Sequence, residues 1–185
     1  MTEASRHRDQ LVRQLGRVFR ERGYEGATLT ALSRATGLGK ASLYHHFPGG
    51  KAEMAEVLLR TAIADVQRLA FARLDGPEPP AARLERFVAG YQAYLEESGA
   101  PCLLGVLALG SARAVHGETL AAQFRDWRAA LARVFEEAGA KPKRAARSAA
   151  DVLDVLYGAQ MVTALTGEPD HLQRAFKRLL RRFPR

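Results

Sequence analysis

The sequence predicts an all-α protein: an N-terminal three-helix head of the helix-turn-helix type, residues 1–51, and a larger helical body, residues 52–185, about nine helices in all. Three observations carry that prediction. Apolar residues recur at i, i+4, i+7 and i+8 in the long segments, while strand-like alternation, internal repeats and low-complexity runs are absent. Breaks rich in glycine or proline separate the helical segments, at Gly37-Leu38-Gly39, Pro48-Gly49-Gly50, Gly76-Pro77, Ser98-Gly99-Ala100-Pro101 and Gly167 to Pro169. Residues 28–51, TLTALSRATGLGKASLYHHFPGGK, hold two short helical patterns about a glycine-containing turn, the layout of a positioning helix and a recognition helix.

Residues 6–22 carry the stripe Leu11, Leu15, Val18 and Phe19, with Arg6, Arg13, Arg17 and Arg20 on other faces. Gly23 follows at the C′ position, where a left-handed conformation suits glycine. Thr28 is the expected N-cap of the next helix, about Leu29 to Thr36, whose inner face is Leu29 and Leu32. Gly37 ends it, Leu38 supplies the apolar contact that often follows, and Gly39 caps a helix from about Lys40 to Phe47. At 100° per residue Leu43 and Phe47 share one face, assigned to the core. Ala41 and His45 lie opposite, flanked by Ser42 and Tyr44, with Lys40 at the N-terminal end where recognition helices approach base edges. Tyr44 and Ser42 are suited to phosphate oxygens and Ala41 to a thymine methyl. Lys51, at the start of a helix running to about Leu74, is placed to anchor a phosphate. The predicted DNA-binding residues are therefore Thr28, Lys40, Ala41, Ser42, Tyr44, His45 and Lys51. No metal site is expected from His45 and His46, because neighbouring helix residues point 100° apart.

Gly23, Thr28, Leu32, Ala35-Thr36-Gly37-Leu38 and Leu43-Tyr44-His45-His46-Phe47, followed by a glycine turn and Lys51, resemble the head of the tetracycline-repressor-like (TetR/AcrR) family of bacterial regulators. Two features depart from that pattern: Gly39 replaces the usual Ser or Thr cap, and Pro48-Gly49-Gly50-Lys51 is one residue longer than the commonest turn. The longer turn, with Ala100-Pro101-Cys102-Leu103, is similar to the subgroup around the lincomycin-resistance repressors. The resemblance implies a homodimer joined by a four-helix interface, and the subgroup implies small, often aromatic effectors.

The body continues in helices. Met54, Val57, Leu58, Ile63, Val66 and Leu69 line the helix from Lys51, which Gly76-Pro77-Glu78-Pro79-Pro80 ends. Leu84, Phe87, Val88, Tyr91 and Leu95 mark residues 81–97, and a short apolar segment runs from Cys102 to Leu109. Leu120, Phe124, Trp127, Leu131, Val134 and Phe135 mark residues 118–138. From Val152 onward, residues 145–165 are apolar on nearly every side, so part of their cover is expected from a second subunit. Residues 170–183 carry Leu172, Phe176, Leu179, Leu180 and Phe183. Two adjacent apolar C-terminal helices suggest an isologous interface, with Val152, Leu156, Leu172, Phe176 and Leu179 as its expected residues.

Charge agrees with this division. Of a net +8, residues 1–51 carry nine Lys/Arg against four Asp/Glu, residues 52–140 nine against twelve, residues 141–170 four against four, and residues 171–185 six against none. A basic head on an acidic middle is what a nucleic-acid reader shows, although solvated charge gives the same count. Basic residues at the end of the last helix also suit its macrodipole. One cysteine, Cys102, permits no internal disulfide and, in an apolar segment, reads as packing. The N-terminus lacks a signal-peptide apolar region, and no run reaches the roughly 18 apolar residues of a membrane span, so a cytoplasmic location is expected.

The expected function is a ligand-responsive transcriptional regulator, a repressor that binds a palindromic double-stranded DNA operator as a homodimer and is released by a small aromatic or apolar molecule. Tyr91, Tyr94, Leu104, Phe124, Trp127, Tyr157 and Gln160 offer aromatic surface with a few polar groups for that effector. The bland alternative for each is an ordinary core position. A non-specific architectural DNA binder would leave the apolar body unexplained. A helical enzyme is opposed by the lack of a phosphate loop, a metal-spaced cluster or a nucleophile with its base. No cofactor or membrane partner is expected.

Overall fold

The computed structural model describes residues 3–99, 101–109 and 111–182. Among the described residues the elements are α1 (Glu3–Gly26), α2 (Leu29–Thr36), α3 (Lys40–His46), α4 (Gly50–Leu69), a 3₁₀ turn (Phe71–Leu74), α5 (Pro80–Ser98), α6 (Leu103–Leu107), α7 (Ala112–Glu137), α8 (Pro142–Thr166) and α9 (Asp170–Arg182), with no strand. This is the predicted all-α architecture. By packing, the chain groups into two compact units, residues 1–63 with 102–120, and residues 64–101 with 121–185. Helices α4 and α7 therefore run through both.

In the first unit the predicted stripe of α1 is its core face: Leu11, Leu15, Val18 and Phe19 are buried, as are Leu32, Leu43 and Phe47. Gly23 has φ 67°, and this left-handed residue breaks α1 ahead of the short link to α2. Helix α6 packs against α1 in this unit. Cys102 is buried just before α6; Ala100, in the segment that carries the subgroup resemblance, lies outside the described residues.

In the second unit, Arg83 of α5 is buried, donates from Nη1 to the Leu74 carbonyl at 2.9 Å and pairs with Glu137 at the end of α7. One charged side chain thus ties the 3₁₀ turn, α5 and α7 together. Gly90 marks a close crossing: a Cβ there would sit 2.8 Å from the Leu69 carbonyl carbon and closer still to its oxygen.

Several boundaries differ from those the sequence predicts, three of them in the body. The helix from Lys51 stops at Leu69 and its pattern continues as a 3₁₀ turn to Leu74. Helix α7 starts at Ala112 rather than Glu118, because its first turns bury Ala112 and His116 instead of large aliphatic residues. Helix α8 starts at Pro142, the favoured first-turn position for proline. Phe183, read as the last member of the α9 stripe, lies outside the described residues.

Most of the residues expected at a subunit interface are already covered within the single chain. Val152 and Leu156 of α8, with Phe176 and Leu179 of α9, are buried by the chain's own packing, and Leu172 is half-buried. Helices α8 and α9 pack against each other within the chain, and α9 also meets α5. What stays uncovered is a different stripe: Gly158, Met161, Val162 and Leu165 on α8, and Leu180 on α9, with Leu165 79% exposed.

Candidate nucleic-acid interface

The helix-turn-helix is assembled by side chains that also close its turn. Thr28 Oγ1 accepts from the Ala31 N–H at 3.2 Å, the expected N-cap of α2. Gly37 ends α2 at φ 70°. Two hydroxyl side chains that the helix pattern does not single out then fix the turn. Ser33 Oγ donates to the Leu38 carbonyl at 2.6 Å. Thr36 Oγ1 donates to the Leu32 carbonyl at 2.8 Å and accepts from the Leu38 N–H at 3.3 Å. Hydroxyl residues near a helix end have this capacity, but pattern alone does not say which carbonyl they reach.

Helix α3 buries Leu43 completely and exposes Lys40, Ala41, Ser42, Tyr44 and His45. Phe47, just past its end, is fully buried, with the Arg8 guanidinium 5.8 Å from its ring centre. His46 is half-buried, its ring centre 6.3 Å from that of His7. The exposed set offers a cation, a methyl group, two hydroxyls and an imidazole on one short helix, the functional groups that meet base edges and phosphates. Gly39 at its N-cap has φ −64°, so no backbone constraint calls for glycine there.

Tyr44 and Lys51 are each held from behind. Gly50 has φ 62°, and a Cβ on it would lie 3.2 Å from Tyr44 Cε1. The extra glycine of the longer turn thus supplies both the left-handed step and the flat seat under the tyrosine ring. Gly49 N–H donates to Glu53 Oε2 at 2.7 Å, closing the start of α4. Lys51 is half-buried, donates from Nζ to the Tyr24 carbonyl at 3.0 Å and sits 4.4 Å from the Tyr24 ring centre. Its ammonium therefore already has a hydrogen-bond acceptor and a π face at the end of α1.

Next to Tyr24, Glu25 accepts from the Ser111 N–H at 2.6 Å across 86 positions of sequence. That backbone hydrogen bond, with contributions from the Ser111 side chain and the nearby Lys51 charge, lowers the Glu25 pKa. A notch of about 230 Å³ opens beside Thr28, with Arg17, Arg22 and Arg34 on its walls together with Glu21. Arg34 and Arg22 fall outside the recognition helix, so the pattern of that helix does not single them out.

The residues expected at an effector site separate into two groups. Tyr91, Tyr94, Phe124, Trp127, Tyr157 and Gln160 come together in the second unit, whereas Leu104 sits on α6 in the first. Trp127 stacks on Phe71 at 4.7 Å and 7°, and Phe124 meets Trp127 at 5.5 Å and Tyr157 at 4.8 Å. Gln160 Nε2 donates to Tyr91 Oη at 2.9 Å, and Trp127 Nε1 donates to Gln67 Oε1 at 3.1 Å. Phe71 and Phe87, 4.9 Å apart, complete the cluster. Phe71 lay hidden in what read as the tail of a long helix. Among the described residues no three His, Cys, Asp or Glu converge on a metal site, and no helix is long and apolar enough to cross a membrane.

Residues 16–58 match the family described as bacterial regulatory proteins, tetR family, and residues 80–178 match the C-terminal domain of LmrA/YxaF-like transcriptional regulators. The HTH-type transcriptional regulator YxaF of Bacillus subtilis is 25% identical over 167 residues, 88% of this chain and 87% of that one. In fold, the chain is similar to regulatory protein TetR from Rhodobacter sphaeroides, with a TM-score of 0.79, 24% identity and coverage of 96% and 98%. It is also similar to a cysteine mutant of the regulator CifR complexed with 26-bp operator DNA, with a TM-score of 0.76, 24% identity and coverage of 96% and 97%.

Proposed function

This chain belongs to the TetR family of transcriptional regulators, in its LmrA/YxaF-like branch, and on that premise we propose that it is a homodimeric repressor of a palindromic operator, released by a small aromatic or apolar molecule. The family consists of transcriptional regulators rather than enzymes. The observation that carries the reading is α3: one fully buried leucine anchors a helix whose other described residues from Lys40 to His45 are exposed. Residues 1–51 act as the reader, and residues 52–185 respond to the ligand and pair the subunits.

In this reading Lys40, Ala41, Ser42 and His45 face the major groove, and Tyr44 meets the backbone from its seat on Gly50. Thr28, with the neighbouring Arg17, Arg22 and Arg34, is suited to a phosphate. Lys51 contributes chiefly by holding the start of α4 to Tyr24. The CifR operator complex, a protein of like fold, supports DNA as the partner.

Helix α4 supports the coupling. Its Lys51 end is bound to Tyr24, and near its other end Gln67 is bound to Trp127 of the aromatic cluster. A ligand entering beside the half-buried Phe124 and Tyr157 would disturb that end of α4. The spacing of two recognition helices must match successive major grooves, about 34–36 Å apart. A coupling of about 1–3 kcal/mol weakens the operator complex about 5- to 150-fold.

The experiment is footprinting on the DNA upstream of the protein's own gene, with and without Tyr44→Ala. A protected palindrome and an affinity loss of about tenfold or more are expected, for a contact of about 1–3 kcal/mol. Uniform binding along the DNA would favour a non-specific architectural protein. An unchanged affinity for Tyr44→Ala would remove Tyr44 from the interface.

A further inference from the structure

A second cluster of cations lies outside the helix-turn-helix. At the start of α8 a groove of about 570 Å³ is lined by Lys141, Lys143, Arg144, Arg147 and Ser148, with Asp151 as its one carboxylate. Phe135 of α7, Val152 of α8 and Leu179 of α9 give it an apolar floor. All four cations are exposed, and none takes part in a salt bridge among the described residues. Of the other carboxylates on α8 and the link to α9, Glu168 pairs with His171 and Asp170 with Arg174, while Asp154 is exposed on α8 and does not line the groove.

We infer that this groove binds a multiply charged organic anion, a phosphorylated small molecule of about nucleotide size, at a site separate from the aromatic cluster. The volume falls in the range of about 300–1,000 Å³ typical of small-molecule sites. Four cations against Asp151 leave an excess that a single carboxylate ligand does not match and a di- or triphosphate does. The cations stand in the first turns of α8, where the helix dipole also favours negative charge. The hydrophobic floor fits the organic part of such a ligand and distinguishes the groove from a surface that only follows a DNA backbone. Guanidinium groups of Arg144 and Arg147 suit phosphate oxygens, with the Ser148 hydroxyl as a further donor.

The test is calorimetric titration of the full-length protein at low salt with ADP, inorganic pyrophosphate and adenosine, repeated on Lys143→Glu/Arg147→Glu. These positions are exposed, so the fold is retained, and circular dichroism verifies that. Lys141→Gln gives a milder second variant. ADP is expected to bind more tightly than pyrophosphate, adenosine not measurably, and the double variant to lose about tenfold or more of the ADP affinity. Raising the salt should weaken ADP binding, and duplex DNA should bind both proteins within about twofold. Equal binding of ADP and adenosine, undiminished ADP binding by the double variant, or no ADP binding by the parent protein overturns the inference. So does a DNA affinity that falls while ADP affinity stays, which makes the groove a nucleic-acid surface.

Discussion

Glu25 shows how a single side chain joins distant segments. Its carboxylate takes the Ser111 N–H, and the carbonyl of the residue before it, Tyr24, takes the Lys51 ammonium. One short stretch thereby meets the start of α4 and the start of α7. Because hydrogen bonding and the lysine charge favour the ionised form, the folded pKa of Glu25 lies below its unfolded value. The sign follows by linkage: this stabilisation is complete above the ordinary Glu value of about 4.3, and is lost as pH falls through the lower folded value. Thermal melts between about pH 6 and pH 3 should therefore show a smaller acid-induced loss for Glu25→Gln than for the parent. Identical slopes would mean that the Ser111 contact does not persist in solution. Ser33 and Thr36 belong at this scale as well. Their residue type is readable as turn-forming, but their partners Leu38 and Leu32 are chosen by the folded turn.

At the scale of the element, glycines separate into those that the backbone requires and those it does not. Gly37 and Gly50 have positive φ, whereas Gly39 has φ −64° with open space around it. Gly39→Ser should add a side-chain cap to α3 and stiffen the unfolded chain, stabilising the protein by about 0.5–1 kcal/mol, read as a higher urea midpoint. A lowered midpoint would mean that the hydroxyl meets an obstacle. Gly90 is the opposite case despite its ordinary helical conformation, since α5 lies directly on the last carbonyl of α4. Gly90→Ala should destabilise by about 1–3 kcal/mol. A midpoint unchanged in urea would show that α5 can move aside freely. Helix existence and the head's core face were legible from Leu11, Leu15, Leu32 and Leu43, because a large apolar stripe states its own direction. The start of α7 was not, since Ala112 and His116 carry its buried face without a large aliphatic residue. The basic groove was hidden differently: Lys141 to Arg147 are followed by acids that cancel them in a sum over residues 141–170, and only the folded helix shows them on a common groove.

For the whole molecule, the question is what covers the end of α8. Asp154, Gly158, Met161, Val162 and Leu165 follow the i, i+4, i+7, i+8, i+11 spacing of one helix face, and all are exposed in the single chain. Leu180 of α9 adds a further apolar group. A helix exposing Leu165 by 79% loses hydrophobic stabilisation unless a partner covers it. Gly158 costs the helix about 1 kcal/mol relative to alanine, and among the described residues a Cβ there would meet nothing from another element within 4 Å. Both features make sense if a second copy crosses close to Gly158, which shifts the proposed two-fold interface from residues buried within the chain to this outer stripe. Leu165→Asp then acts twice, once in each subunit. With about 1.5–3 kcal/mol for each buried leucine, dimerisation should weaken by roughly 10²- to 10⁴-fold. Sedimentation velocity at micromolar concentration should show a monomer, while the helical content stays that of the parent. Operator affinity should fall with it, since a lone recognition helix meets only one half-site. Val152→Ala, by contrast, should lower stability without loosening the dimer, because its side chain is already buried within the single chain. A Leu165→Asp protein that sediments as a dimer and holds its operator at the parent's affinity would place the two-fold contact elsewhere on the chain.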